Sequence, residues 1–154
     1  MEKRIKWSRT LSLVNILIWM GLIFYLSDQP ATQSANASDS FGLSLFKFLS
    51  IDLNAPDNAY LLDISSFIVR KAAHMYLYFV LALVLRLYFV TFNIKNKYKN
   101  LLTLGITFLY AISDEIHQLF IEGRACQFQD ILIDLAGGAI GLLVFMLIRH
   151  RMKK

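Results

Sequence analysis

Between Thr10 and Ser27 the chain runs for 18 residues without a charge, and Leu, Ile, Val and Trp dominate the run. A helix needs roughly 20 apolar residues to cross a hydrocarbon core about 30 Å thick. This stretch nearly satisfies that alone. Three more apolar stretches follow: Ala72–Ile94, broken only by Arg86; Asn100–Ser113, continuing past Asp114 and Glu115 to Ile121; and Leu135–Ile148, preceded by Ile131, Leu132 and Ile133. Each of these is free of charge for only 14 residues at a time, roughly 21 Å of helix. The helices must therefore run on through charged residues at one end. Ionisable groups held at membrane depth are costly, so each becomes a functional candidate.

Composition agrees with a membrane protein. Of 154 residues 56% are hydrophobic and 18% charged, against roughly 45–50% and 25% in soluble domains. A single small domain cannot hide that much apolar surface from water. One cysteine excludes a disulfide scaffold and a zinc ribbon, and 7 Gly with 2 Pro exclude collagen-like and low-complexity chains. The fold class expected is all-α and polytopic: one membrane domain over residues 1–154, a bundle of four transmembrane helices near 10–27, 67–92, 101–121 and 131–149. An external loop, 28–66, has room for a short interfacial helix around Phe41–Leu53, lying on the surface or covering a cavity as a lid.

Charge placement orients the bundle. Lys3, Arg4, Lys6 and Arg9, then Lys95, Lys97 and Lys99, then Arg149, Arg151, Lys153 and Lys154 all fall on one side of a four-span topology. By the positive-inside rule that side is cytoplasmic, and so are both termini. The loop 28–66 carries Asp28, Asp39, Asp52, Asp57 and Asp63 against Lys47 alone, and lies outside. These topology signals absorb 11 of the 16 basic residues, so the net charge of +5 gives no reason to invoke nucleic acid. A cleaved signal peptide ending near Ala35-Asn36-Ala37 is the rival reading of the N-terminus. Some ten residues separate that site from the apolar run, and the run is long for such a leader.

The remaining polar residues converge on the outer helix ends: Ser27-Asp28-Gln29-Pro30, Arg70-Lys71 with His74, Ser113 to Gln118, Glu122-Gly123-Arg124, and Asp130 with Asp134. Arg70 and His74 share a helix face, as do Asp114 and Gln118, with His117 beside Asp114, and Asp130 with Asp134. Gly137 and Gly141 continue the last stripe as a small-residue pattern that admits a neighbouring helix.

Three readings of the cluster stand side by side. Ion pairs of Arg70, Lys71 and Arg124 with the carboxylates hold the bundle together. Alternatively, His74, His117, Asp114 and Asp130 take a divalent metal, as their ligand types allow, although no tight zinc signature is present. In the third reading Arg70, Lys71 and Arg124, with Gln118 and Asp28, bind an anionic head group. His74 or His117 then moves a proton, and Asp114, Glu115, Asp130 and Asp134 orient them. Elsewhere, Arg86 is expected to snorkel to the cytoplasmic interface, Lys71 to reach lipid head groups, and His150 to be solvated. Cys126 reads as inert, Ser27 and Ser113 lack a nucleophile elbow, and Tyr76, Tyr78, Phe79, Tyr88 and Phe89 read as lipid-facing or interfacial.

In order, Ser27-Asp28-Gln29-Pro30, Arg70-Lys71-x-x-His74, Asp114-Glu115-x-His117-Gln118, Gly123-Arg124 and Asp130-x-x-x-Asp134-x-x-Gly137 resemble the VanZ-like family over about residues 10–148. Many members carry Asn where this chain has Asp134, which puts the charge at that position in question. The resemblance implies a multi-pass protein of the bacterial cytoplasmic membrane. Some members lower susceptibility to teicoplanin-type glycopeptides. The implied partners are membrane lipid and a lipid-linked envelope precursor or a glycopeptide. The rival functions are an intramembrane hydrolase or phosphatase of a lipid-linked substrate, and a non-catalytic binding or assembly module.

Overall fold

The uncharged run Thr10–Ser27 forms the greater part of α1, Glu2–Ser27, which stops where Asp28 and Pro30 interrupt it. In the computed structural model, residues 2–50 and 59–152 are described, with side chains for 9–50 and 60–152. Lys3, Arg4, Lys6, Asp52, Asp57, Lys153 and Lys154 therefore lie outside the described side chains. Four helices follow: α2 Ala31–Phe48, α3 Ala59–Val90, α4 Asn96–Gln118 and α5 Phe128–Arg151. No strand occurs among the described residues.

Three of these helices, α1, α3 and α5, are long and apolar enough to cross a membrane. A multi-pass membrane protein follows. α4, expected as a span over 101–121, runs instead over 96–118 and is not apolar enough to qualify. Its 23 residues include Lys97, Lys99, Asp114 and Glu115, and its buried face is largely polar: Lys99, Thr103, Thr107, Ala111, Asp114, Glu115 and Gln118. That spacing of 3 or 4 is one helix face turned inward. Thr103 and Thr107 satisfy their hydroxyls on the carbonyls of Lys99 and Thr103, as threonines within a helix can.

The loop expected over 28–66 is mostly helix. α2 starts ten residues before the apolar segment at Phe41, in a Ser- and Ala-rich stretch. Ser38, Ser40 and Ser44 there hydrogen-bond the carbonyls four residues back, so residues that usually favour turns are satisfied within the helix. α3 begins at Ala59 rather than near 67, and its 32 residues span about 48 Å. α2 packs antiparallel on the first part of α3, where Gly42 lies against Ser65.

α3 touches every other helix. Against α1 it is antiparallel: Arg9 donates to the Thr91 carbonyl at 2.8 Å, and the Trp19 indole donates to the Leu77 carbonyl at 2.8 Å. Against α5 it is parallel and very close. A Cβ placed on Gly137 would lie 2.2 Å from the Met75 carbonyl oxygen, and one on Gly141 would lie 2.4 Å from that of Phe79. Gly138 faces the Thr107 methyl instead. The two glycines thus let the backbones touch, which substitutes for the hydrophobic drive that lipid does not supply.

The core lies among Ile16, Ile23, Tyr78, Leu81, Leu85, Ala111 and Ile131. Two expectations need correction here. Tyr78 and Phe89 are buried rather than lipid-facing. Arg86 does not snorkel. It is buried, donates to Asn100 Oδ1 at 2.9 Å and Asn96 Oδ1 at 3.2 Å, and stacks over the Phe145 ring. Those partners come from α4 and α5, so two of the three guanidinium nitrogens are paired inside the bundle, while Nη1 is buried without a hydrogen-bond partner.

Candidate functional site

α1 and α4 end, and α5 begins, at one pole of the bundle, with the middle of α3 at the same level. A link over 119–127 caps this pole. It turns at Gly123, whose φ of +73° is a left-handed value that glycine reaches without steric cost. The Glu122 carbonyl accepts the Ala31 amide at 3.1 Å, tying the link to the start of α2. Arg124 donates to the Gln29 carbonyl at 2.8 Å, tying it to the end of α1. Burial pulls the Arg124 guanidinium down from its ordinary value, and neighbouring Arg70 adds to this while Asp114, Glu115 and Asp130 oppose it. An arginine starts so high that it keeps its charge.

The carboxylates divide into held and unheld groups. Asp114 is buried, and its Oδ2 accepts Ser27 Oγ at 2.8 Å and Gln118 Nε2 at 3.3 Å. Glu115, fully buried, accepts the Gln127 amide at 2.8 Å through one oxygen while the other has no partner. It serves an orphan N–H at the start of α5, where a negative charge also suits the helix dipole. Asp130, in the first turn of α5, pairs with Lys71, so Lys71 turns into the site rather than to lipid head groups. Asp28 lies 3.1 Å from His117 Nε2, and the imidazole stacks on Phe24 at 4.4 Å.

Asp134 is unlike the others. It is 0% exposed, and neither of its oxygens has a hydrogen-bond partner. His74 Nδ1, also buried and unpartnered, lies 3.7 Å from Asp134 Oδ1. One ligand atom each from His74, Asp114 and Asp134 falls within 4.8 Å of the others. This trio differs from the set His74, His117, Asp114 and Asp130 expected from sequence. His117 is occupied by Asp28 and Asp130 by Lys71, while Asp134 comes inward.

Two cavities open at this pole. One, about 430 Å³, is a cleft between α1, α2 and α3 with apolar walls from Leu26, Ala37, Phe41, Val69 and Leu77. The other, about 240 Å³, is more polar and includes Lys71, Gln118, Gln127 and Asp130. Arg70, His74, Arg124 and Ser34 line both. Among the described residues neither Arg70 nor Arg124 has a carboxylate within ion-pairing distance. A lattice of reciprocal ion pairs therefore accounts for Lys71 and Asp130 but not for the two arginines.

The model of the family described as VanZ/LLP1 matches residues 12–149, most of the chain. This protein belongs to the VanZ/LLP1 family. No curated protein and no solved structure matches it. The matched region contains every residue of the polar pole from Ser27 to Asp134, together with the glycines that seat α5 against α3.

Sequence reasoning missed Tyr78. Its hydroxyl is buried without a partner, and its ring lies 6.2 Å from that of Tyr110. The signal was available in part, because Tyr78 lies four residues beyond His74 and so on its face of α3. Cys126 is free and exposed, and Ser113 is spent on the Tyr110 carbonyl.

Proposed function

We propose that this VanZ/LLP1 family protein crosses the cytoplasmic membrane four times, with both termini inside, and that its polar pole faces outward. There it takes the anionic head group of a lipid-linked envelope molecule. The observation that carries this reading is the sharing of Arg70, His74 and Arg124 between an apolar cleft and a polar cavity. An amphiphile needs that combination: a wall for its chain and charge-assisted donors for its head. Reduced susceptibility to teicoplanin-type glycopeptides would follow from altering such a molecule, since these drugs act at the external surface. The hydrolase or phosphatase reading is favoured by one specific feature, the imidazole of His74 set beside the unpartnered carboxylate of Asp134. A histidine so placed is suited to move a proton at the head group held by the arginines.

Binding is tested on the purified full chain in detergent, with fluorescent phosphatidic acid and phosphatidylcholine as probes. The wild type is expected to prefer the anionic lipid by tenfold or more. Arg70→Gln with Arg124→Gln is expected to erase the preference, since each charge-assisted contact contributes about 1.5–3 kcal/mol and about 1.4 kcal/mol is tenfold in affinity. Equal binding of both probes by the wild type would sink the reading.

Orientation has a built-in reporter. Cys126 is the only cysteine and is exposed in the capping link. In intact cells a membrane-impermeant maleimide should label it, and should not label Lys97→Cys in a Cys126→Ser background. Labelling of Lys97→Cys from outside refutes the four-span arrangement.

A further inference from the structure

We propose that His74, Asp114 and Asp134 form a site for one divalent transition-metal ion, of the zinc or manganese class. The inference concerns the same pole as the lipid site and shares His74 with it, while Asp114 and Asp134 line neither cavity and belong to this site alone. Asp134 is 0% exposed, and both of its oxygens lack a partner. A buried carboxylate without hydrogen bonds is costly unless a cation meets it. The nearest basic atom is His74 Nδ1 at 3.7 Å, itself buried and unpartnered. Lys71, the cation that might have served, is committed to Asp130.

Geometry permits a common centre. Ligand atoms bound about 2.0–2.2 Å from an ion in tetrahedral array lie roughly 3.3–3.6 Å apart. The three atoms here, all within 4.8 Å of one another, reach that spacing by moving less than roughly 1 Å each. One imidazole and two carboxylates suit zinc, manganese or iron better than a soft ion. Asp114 already has the support expected of a ligand, since Ser27 and Gln118 both donate to its Oδ2 and fix its orientation. Arg70 and Arg124 stand on the cavity side of His74, where they would hold an anion beside the ion. A bound ion would supply Lewis-acid polarisation of that anion.

The test is metal uptake by the full chain, purified without a polyhistidine tag, stripped with chelator and dialysed against zinc or manganese in the absence of lipid. Elemental analysis should find about one ion per chain, as a single set of three protein ligands with one open position requires. Asp134→Ala and His74→Gln should each lose it, while His117→Ala and Asp130→Asn should keep it. Ser27→Ala should weaken uptake by about 10–100-fold, the usual effect of removing a group that orients a ligand.

If the wild type retains no stoichiometric ion, Asp134 and His74 satisfy each other by sharing a proton and the metal site is refuted. That result does not need any variant to fold. Equal loss of the ion in His117→Ala also overturns the assignment. Because no lipid is present, failure here leaves the anionic-lipid reading to its own binding experiment.

Discussion

Gly141→Leu is expected to leave little or no folded protein. The Cβ alone would lie 2.4 Å from the Phe79 carbonyl oxygen and 3.1 Å from its carbon. Backbone on a neighbouring helix cannot swing aside as a side chain does. α5 would have to move off α3 along its length, and the contact at Gly137, with the Met75 carbonyl 2.2 Å from a built Cβ, would part with it. Overpacking in a compliant core costs about 1–3 kcal/mol; here the obstacle is rigid, so a loss above about 3 kcal/mol is expected. The same displacement carries Asp134 away from His74, so binding should vanish together with the fold. Gly21→Ala and Gly105→Ala are the controls. A Cβ at either meets nothing within 4 Å, and replacing a helical glycine by alanine gains about 0.5–1 kcal/mol. Thermal melting and size-exclusion profiles in detergent read all three. Gly141→Leu melting with the wild type would show that the helices are not seated as described.

The glycine stripe is legible in the sequence because small residues at i and i+4 of an apolar helix mark close approach of a neighbouring helix. The same applies to Asp114 with Gln118, whose helical spacing places them in contact, at 3.3 Å. Which base meets which acid was not legible. Lys71 and Asp130 are 59 residues apart, and only the parallel seating of α5 on α3 brings them together. That seating also turns Asp134 towards His74 and leaves Asp130 to Lys71, so which aspartate approaches His74 was not legible from spacing along α5.

The faces of α3 are unmarked in the sequence for a different reason. It contacts α1, α2, α4 and α5, so it is apolar nearly all round and no side of it is marked as outward. Tyr78 and Arg86 were misplaced on that account. α2 was hidden because its first turns are built from Ser, Asn and Ala, a composition shared with loops. Its serines reveal a helix only once their bonds to the preceding turn are seen.

Asp114→Leu and Asp134→Leu, two substitutions of one chemistry at adjoining sites, should move stability in opposite directions in metal-stripped protein. Asp114 bridges helices. Ser27 Oγ on α1 and Gln118 Nε2 both donate to it, and a further polar tie between α1 and α4 is the Tyr110 hydroxyl on the Met20 carbonyl. Leucine at 114 strands two buried polar groups, at about 1–3 kcal/mol each, so a loss of about 2–6 kcal/mol is expected. α1 should become more accessible to protease near Ser27. Asp134 has no hydrogen bond to lose. Replacing a buried, unpartnered carboxylate by a hydrophobe of similar size removes a desolvation penalty, and a gain of about 1–3 kcal/mol is expected. Restoring zinc or manganese should then stabilise the wild type alone, because an ion that binds only the folded state shifts unfolding by mass action. The gap between wild type and Asp134→Leu should close or reverse as the ion is added. Equal destabilisation by both substitutions, with or without metal, would mean that Asp134 has a structural partner after all. The division between carboxylates that build this pole and the carboxylate left to meet something else would then be lost.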